Sequence, residues 1–277
     1  MTVGARPNGV VVANGLAWVV RSRSQRLATL RAPSGRRAPF HPTVGPLPAA
    51  AVASAGRLWV GVQRTSSLVT IGLRSHKAIG TPIVLPAGRL KLVGVAAGER
   101  GIWVGLRGNP GLVVRVSPSQ RQVVKTIAMP DGLQDLAVGA GAVWVLGRRA
   151  NTVTRIDVST GRQQVINVGR DPAGVAVGGG AVWVTNAGDD TVTRIDTGSL
   201  VTRTIGVGDA PTRVAVGGGA VWVANRNDST LTRIDTETHR KVGDPVDVAA
   251  NPFGLDVSGH SVWVTSPPDG TVQRVDF

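Results

Sequence analysis

The chain has 277 residues, 42% hydrophobic and 17% charged, a balance that excludes a disordered polymer and leaves ample material for a buried core. It contains no cysteine, which removes disulfides and thiolate chemistry, and no apolar run approaches the ~20 residues of a membrane span, so no insertion by this segment is expected. The formal net charge is +14 but unevenly placed: residues 1–150 hold 20 Lys and Arg against three acids (Glu99, Asp131 and Asp135), and residues 151–277 hold 11 against 14.

In chain order, the first element is Met1-Thr2-Val3-Gly4, which reads like the end of an outer strand (compare Gly206-Val207-Gly208). Seven Trp-Val pairs follow, at Trp18, Trp59, Trp103, Trp144, Trp183, Trp222 and Trp263, spaced by 41, 44, 41, 39, 39 and 41 residues. A fixed period of this length marks a repeat architecture. Seven units account for the whole chain, so 1–277 is expected as a single domain rather than the two its length would suggest.

The clearest unit, Asp171–Gly208, divides into four short segments rich in Val and Thr. Gly174–Val177 is predicted as the first strand, Gly178–Gly180 as a turn, and Ala181–Thr185 as the second strand. Asn186–Asp190 is a polar loop, Thr191–Asp196 the third strand, Thr197–Ser199 a turn, and Val201–Val207 the fourth strand. Tight-turn residues recur between first and second strands as Asn14-Gly15, Ala55-Gly56 and Gly217–Gly219, where φ > 0 is needed. No unit shows a 3.6-residue apolar period, which excludes a helical solenoid. Four antiparallel strands repeated seven times predict an all-β, seven-bladed β-propeller. The last unit ends on its third strand at Thr271–Asp276, so the N-terminal strand is expected to complete that blade, close the ring and remove an open sheet edge.

The string VWVTN at Val182–Asn186, followed by DDTVTRIDT and preceded by the loop Gly169–Gly174, resembles the YVTN repeat of bacterial β-propellers, with Trp in place of Tyr. The layout is similar also to NHL and streptogramin-lyase-like propellers. The likeness is specific over residues 130–277 and looser over 1–130, where the third and fourth strands have drifted. It implies the seven-bladed fold and a loop face that binds ligands. It implies no single activity, because such propellers serve as sensors, scaffolds and enzymes.

Candidate chemistry is sparse. His76 and His239 fall in turns between third and fourth strands, His260 in a first hairpin, and His41 in the first unit's outer strand, so no metal-ligand spacing emerges. A lyase of the similar family would need His and Glu on the channel face, but Glu99 and Glu237, the only glutamates, map to the opposite turns. Asp157, Asp196, Asp235 and Asp276 recur after third strands, which argues a structural turn role. Asp256 stands where sister units have Ala176 and Ala215, within the core or near the channel. Asn225, Asn227 and Asp228 lack the oxygen series of a calcium loop. No catalytic residues, metal or cofactor are assigned.

The departure from a bland surface is arginine. The loop after the Trp strand carries Arg21 and Arg23, then Arg64, Arg107, Arg148 with Arg149, and Arg226, while the fifth unit has Asn186. Arg213 stands near the channel mouth where Gly9, Gly174 and Gly254 occupy sister units. A rim of guanidiniums suits carboxylate or phosphate. The expected binding residues are therefore Arg21, Arg64, Arg107, Arg148, Arg213, Arg226 and Asn186, with the rim of the first four blades foremost. By contrast Arg155, Arg194, Arg233 and Arg274 repeat within third strands, where their stems should cover apolar surface.

The leading reading is a non-catalytic sensor or scaffold, monomeric, meeting an anionic ligand or an acidic protein. A lyase- or lactonase-like enzyme at the channel mouth is the alternative. Nucleic acid ranks lower, because every Trp sits in a strand and none is free to stack on bases. The compartment is left open, an extracytoplasmic segment of a larger bacterial protein being one option.

Overall fold

Each repeat folds as an antiparallel meander because three short β-prone stretches are separated by residues that reach φ > 0. In the first hairpin of the repeat both turn residues do so: Asn14 and Gly15 at 52° and 74°, Ala55 and Gly56 at 50° and 71°, Gly218 and Gly219 at 59° and 73°. This is the backbone of a two-residue turn whose twist matches the flanking strands. The computed structural model describes residues 1–4, 6–86, 88 and 90–277.

Seven antiparallel sheets result. The first strands are Pro7–Ala13, Pro48–Ser54, Lys91–Gly98, Leu133–Gly139, Pro172–Gly178, Pro211–Gly217 and Leu255–Ser258. Each touches the first strand of the next blade, and that of the seventh blade touches that of the first, so these strands line a closed ring around a central channel. The second strands carry the tryptophans, all buried between neighbouring blades. The meander predicted for Asp171–Gly208 is found as Pro172–Gly178, Ala181–Asn186, Thr191–Asp196 and Thr202–Gly206. No helix among the described residues is long and apolar enough to cross a membrane.

The outer strands vary more than expected, and not along the division at residue 130. The third blade has a full outer strand, Gln122–Met129, whereas the second and sixth have only Ile83–Val84 and Val246–Asp247. The reason is local. In both short cases the chain makes one bridge, Ile71 to Ala78 or Ile234 to Lys241. It then meets Gly80-Thr81-Pro82 or Gly243-Asp244-Pro245, in which the glycine takes positive φ and the proline lacks the amide a ladder requires. Pairing resumes only beyond the proline.

The first and seventh sheets have three strands among the described residues. The N-terminus lies against the third strand of the seventh blade, Thr271–Asp276, through the isolated bridge Thr2–Thr271. The Val3 amide donates to the Gly270 carbonyl, and the Met1 and Val272 backbones exchange bonds at 2.9 and 2.8 Å. This is a single bridge, shorter than the complete fourth strand the sequence suggested.

Blades are stapled on the loop face by a repeated device. Asn151 and Asp190, equivalent residues of the fourth and fifth blades, each accept a hydrogen bond from a backbone amide of the following blade, Asp171 at 3.0 Å and Ala210 at 2.9 Å. On the opposite face the recurrent turn aspartates act as read from sequence. Asp157 Oδ1 accepts from the backbone and hydroxyls of Ser159 and Thr160, and Asp196 and Asp235 repeat the pattern. These bonds hold all three carboxyls below the usual range.

The third-strand arginines lie opposite the tryptophans in register: Arg155 faces Trp144, Arg194 faces Trp183, Arg233 faces Trp222 and Arg274 faces Trp263. The Arg155 and Arg233 guanidiniums sit 5.9 and 5.6 Å from the Trp144 and Trp222 rings, within cation–π range. The histidines find structural partners too. His76 stacks on Phe40 at 3.6 Å, and His239 tilts against Trp183.

Candidate functional site at the channel mouth

Counting back nine residues from each tryptophan gives Gly9, Ala50, Gly94, Asp135, Gly174, Arg213 and Gly254. The structure brings these positions together as a collar in the channel. In the first six blades the register of the first strand shifts just before this position, by a β-bulge. Bulges re-aim side chains and are common beside functional sites. At two of the small positions close approach excludes a side chain: a Cβ on Gly254 would come within 2.8 Å of the Gly9 Cα, and one on Gly174 within 2.8 Å of the Thr212 carbonyl oxygen, whereas one on Gly9 would have its nearest neighbour at 3.6 Å. Five of the seven collar positions carry no functional group, and at Gly174 and Gly254 blade packing is the reason.

The other two form a charged pair. Arg213 of the sixth blade reaches past Gly174 to Asp135 of the fourth, Nη1 to Oδ2 at 3.4 Å, and also donates to the Ala173 carbonyl at 3.1 Å. Its guanidinium lies 4.5 Å from the Phe253 ring centroid. Asp135 has 17% of its side chain exposed and accepts the Leu136 amide at 2.9 Å. Burial pushes its carboxyl up, opposed by Arg213 and backbone amides. The channel cavity beside the pair measures about 200 Å³ and is otherwise bordered largely by valine and alanine. Asp135 was missed as a site residue although it occupies the same place in its repeat as Arg213; the nine-residue offset from tryptophan was the available signal.

Asp256, seven residues before Trp263, is paired with that tryptophan as Ala176 and Ala215 are with theirs. Its carboxylate joins the seventh blade to the first, accepting the Val12 amide at 2.6 Å and the Val257 amide at 2.9 Å. Burial pushes its pKa up to about 6 against the pull of those donors. A folded value above the unfolded one means the fold favours the neutral acid. Its contribution is complete below pH ~4 and declines as pH rises through about 6, by about 3 kcal/mol. We expect Asp256→Ala to flatten this part of the pH–stability profile in denaturant titrations between pH 4 and 7.5. The parent-minus-variant difference isolates the group, because the lowered pKa values of His41 and His239 act with opposite sign. A difference that is constant with pH refutes the assignment.

The arginine rim divides into committed and uncommitted members. Arg21 donates to the carbonyls of Val3 and Arg26. Arg107 donates to the Leu133 carbonyl at 2.7 Å and to the Gln134 side chain. Arg148 makes a two-pronged ion pair with Asp171 of the next blade, and Arg149 pairs with Asp131. Asn186 is fully buried, its amide shared between Thr191 and Thr193 at 3.0 and 2.9 Å and its carbonyl taking the Gly169 amide. It is an interior strut rather than a rim residue. Arg64 is exposed, and Arg226 borders a cleft.

That cleft, about 370 Å³, lies on the loop face where the sixth, seventh and first blades meet, sharing only the first blade with the rim of blades one to four that the charge count pointed to. Arg6, Asn8, Ser22, Arg226 and Asn251 supply its polar lining, and Phe253, Pro267 and Pro268 its apolar wall. Arg226 Nε donates to Asn251 Oδ1 at 3.2 Å. Neither Arg6 nor Arg226 belongs to an ion pair among the described residues. The carboxylates of the adjoining loops are otherwise engaged: Asp228 holds the Asp209 amide, Asp209 the Asn227 side chain, and Asp269 the Ser266 hydroxyl. Asn8 borders both cleft and channel, and its Oδ1 is buried without a partner.

Fold and site together define a seven-bladed β-propeller with a basic cleft at one mouth of its channel. The chain belongs to the family described as a repeat of unknown function (DUF6923), which matches residues 62–234. No curated protein matches it. Similar solved structures include Kuenenia stuttgartiensis hydrazine synthase, at TM-score 0.85 and 13% identity over 100% of this chain and 97% of that one. A catalytically inactive virginiamycin B lyase from Staphylococcus aureus with quinupristin aligns at TM-score 0.82 and 16% identity, covering 100% and 98%. A streptogramin B lyase aligns at 0.81 and 15%, covering 98% and 93%. At these identities the likeness is one of fold.

Proposed function

We propose that this propeller is a non-catalytic recognition module, a sensor or scaffold, binding an anionic ligand or an acidic partner surface at the cleft between its sixth, seventh and first blades. One observation carries the reading: two guanidiniums, Arg6 and Arg226, border a concave site that has no carboxylate in its lining. Concave basic surfaces concentrate anions, and the guanidinium fork matches carboxylate and phosphate. Of the rim residues read from sequence, Arg226 is retained at the centre of the site and Arg64 as an outlying cation. Residues 1–277 act in this reading as one monomeric domain, and its kinship with YVTN and NHL repeats rests on the VWVTN motif.

The lyase- or lactonase-like alternative draws less support from the described residues. Among the described residues no three of His, Asp and Glu gather as a metal-holding group, and Asp135 is already engaged by Arg213.

We expect calorimetric titration with inorganic phosphate, citrate and a polyglutamate peptide to show binding of at least one, weakening as NaCl rises. The double variant Arg6→Ser/Arg226→Ser should weaken it by ~100-fold, about 1.5 kcal/mol for each charged hydrogen-bond donor lost. Affinity that ignores both the variant and the salt sinks the proposal.

A further inference from the structure

The cleft has two chemically opposed walls, and the repeat shows that the apolar one is a local departure. Ten residues before each tryptophan stand Asn8, Ala49, Val93, Gln134, Ala173 and Thr212 in the first six blades; only the seventh has an aromatic, Phe253. The two positions after the second strand carry at least one polar residue in five sister blades, as with Arg226-Asn227 in the sixth, and the small pair Ala187-Gly188 in the fifth, but are Pro267-Pro268 in the seventh. Both departures face the same cleft as Arg6 and Arg226.

Resting on the anion-binding reading above, we infer that the ligand is an anion carried on an apolar ring, an aryl phosphate or aryl carboxylate. A small inorganic anion held by the two arginines engages only the polar wall and leaves the surface of Phe253, Pro267 and Pro268 uncovered, and neither proline has an amide N–H to offer it. Covering that apolar surface with a ring contributes roughly 25 cal/mol per Å² buried. A ligand charged at one end and apolar at the other satisfies both walls. The volume, about 370 Å³, falls in the small-molecule range. The wall is also rigid before binding. Proline fixes its own φ, and the Phe253 ring is backed by Arg213, itself tied to Asp135 and the Ala173 carbonyl. Preorganisation of this kind lowers the entropy lost on association.

The test uses the full chain and three probes: phenyl phosphate, inorganic phosphate and benzyl alcohol, titrated by calorimetry. The expected result is phenyl phosphate binding at least tenfold more tightly than inorganic phosphate, with benzyl alcohol undetectable. Phe253→Ala should erase the advantage of the ring while leaving inorganic phosphate unchanged. Pro268→Ser, at an exposed position that cannot unfold the blade, should reduce it several-fold. Arg6→Ser/Arg226→Ser should remove binding of both phosphates. Equal affinity for the two phosphates overturns this inference and leaves anion binding standing. Phenyl phosphate binding that persists in the double arginine variant overturns anion binding at this cleft, and failure of all three probes overturns the aryl-anion inference, the anion-binding reading then being decided by citrate and polyglutamate.

Discussion

Replacing Trp183 by Ala should destabilise the protein by about 4 kcal/mol, through lost burial and the cavity left behind, and lower its thermal midpoint by about 10 °C. The indole is fully buried, and its Nε1 donates to the Gly178 carbonyl at 3.1 Å. Trp18 and Trp144 repeat that bond to Ala13 and Gly139. Trp59 is an internal control, because it is equally enclosed but its Nε1 has no partner. Phenylalanine keeps much of the hydrocarbon and removes the N–H. Trp183→Phe should therefore lose about 1 kcal/mol more than Trp59→Phe, the net worth of one hydrogen bond. Denaturant titrations of the three variants measure this. Equal losses in the two phenylalanine variants would assign the tryptophan signature to packing alone.

The channel pair should behave as a coupled unit. Arg213→Met leaves the Asp135 carboxylate buried without its cation, which costs about 3 kcal/mol. Asp135→Asn leaves Arg213 with the Ala173 carbonyl and the Phe253 ring, so its cost is smaller, about 1–2 kcal/mol. The double variant should cost about as much as Arg213→Met alone rather than the sum of the two losses, a coupling of about 1–2 kcal/mol in a double-mutant cycle. The sign with pH follows from the burial that already raises the Asp135 pKa. Once Arg213 is gone the carboxyl rises further and the neutral acid is preferred, so Arg213→Met should be least harmful at low pH and worsen as pH rises. Additive losses, or a loss independent of pH, would show that the two side chains do not depend on each other.

The glycine-174 position explains why this pair was half visible. Arg213 stands out in sequence because its sister positions are small. Asp135 did not, because a lone acid in a basic half reads as a surface charge until the channel brings two blades separated by a third into contact. The rim arginines failed in the opposite direction. Their recurrence after the Trp strand was plain, but a recurring position can serve the ring as readily as a ligand. Arg148 meets Asp171 of the next blade, and Arg107 meets the backbone of the next. The cleft itself was illegible because its lining comes from both ends of the chain, Arg6 and Asn8 from one and Phe253 and Pro267 from the other. Phe253 and the two prolines carry no charge to draw notice.

What the amino-acid order determined by itself is the repeat and its consequences. A Trp-Val strand every ~40 residues, positive-φ hairpins such as Gly218-Gly219 and aspartate-opened turns are local physics, and seven meanders that cannot bury both faces alone must stack into a ring. What tertiary structure decided is which polar groups the ring consumes and which it leaves. Closing seven blades spends Arg21, Arg107, Arg148 and Asp256 on neighbours, while Asn186 is spent inside its own blade. It leaves Arg6 and Arg226 facing a cleft where the last blade meets the first, since interactions between residues hundreds of positions apart depend on the angle at which the ring closes and not on any local pattern.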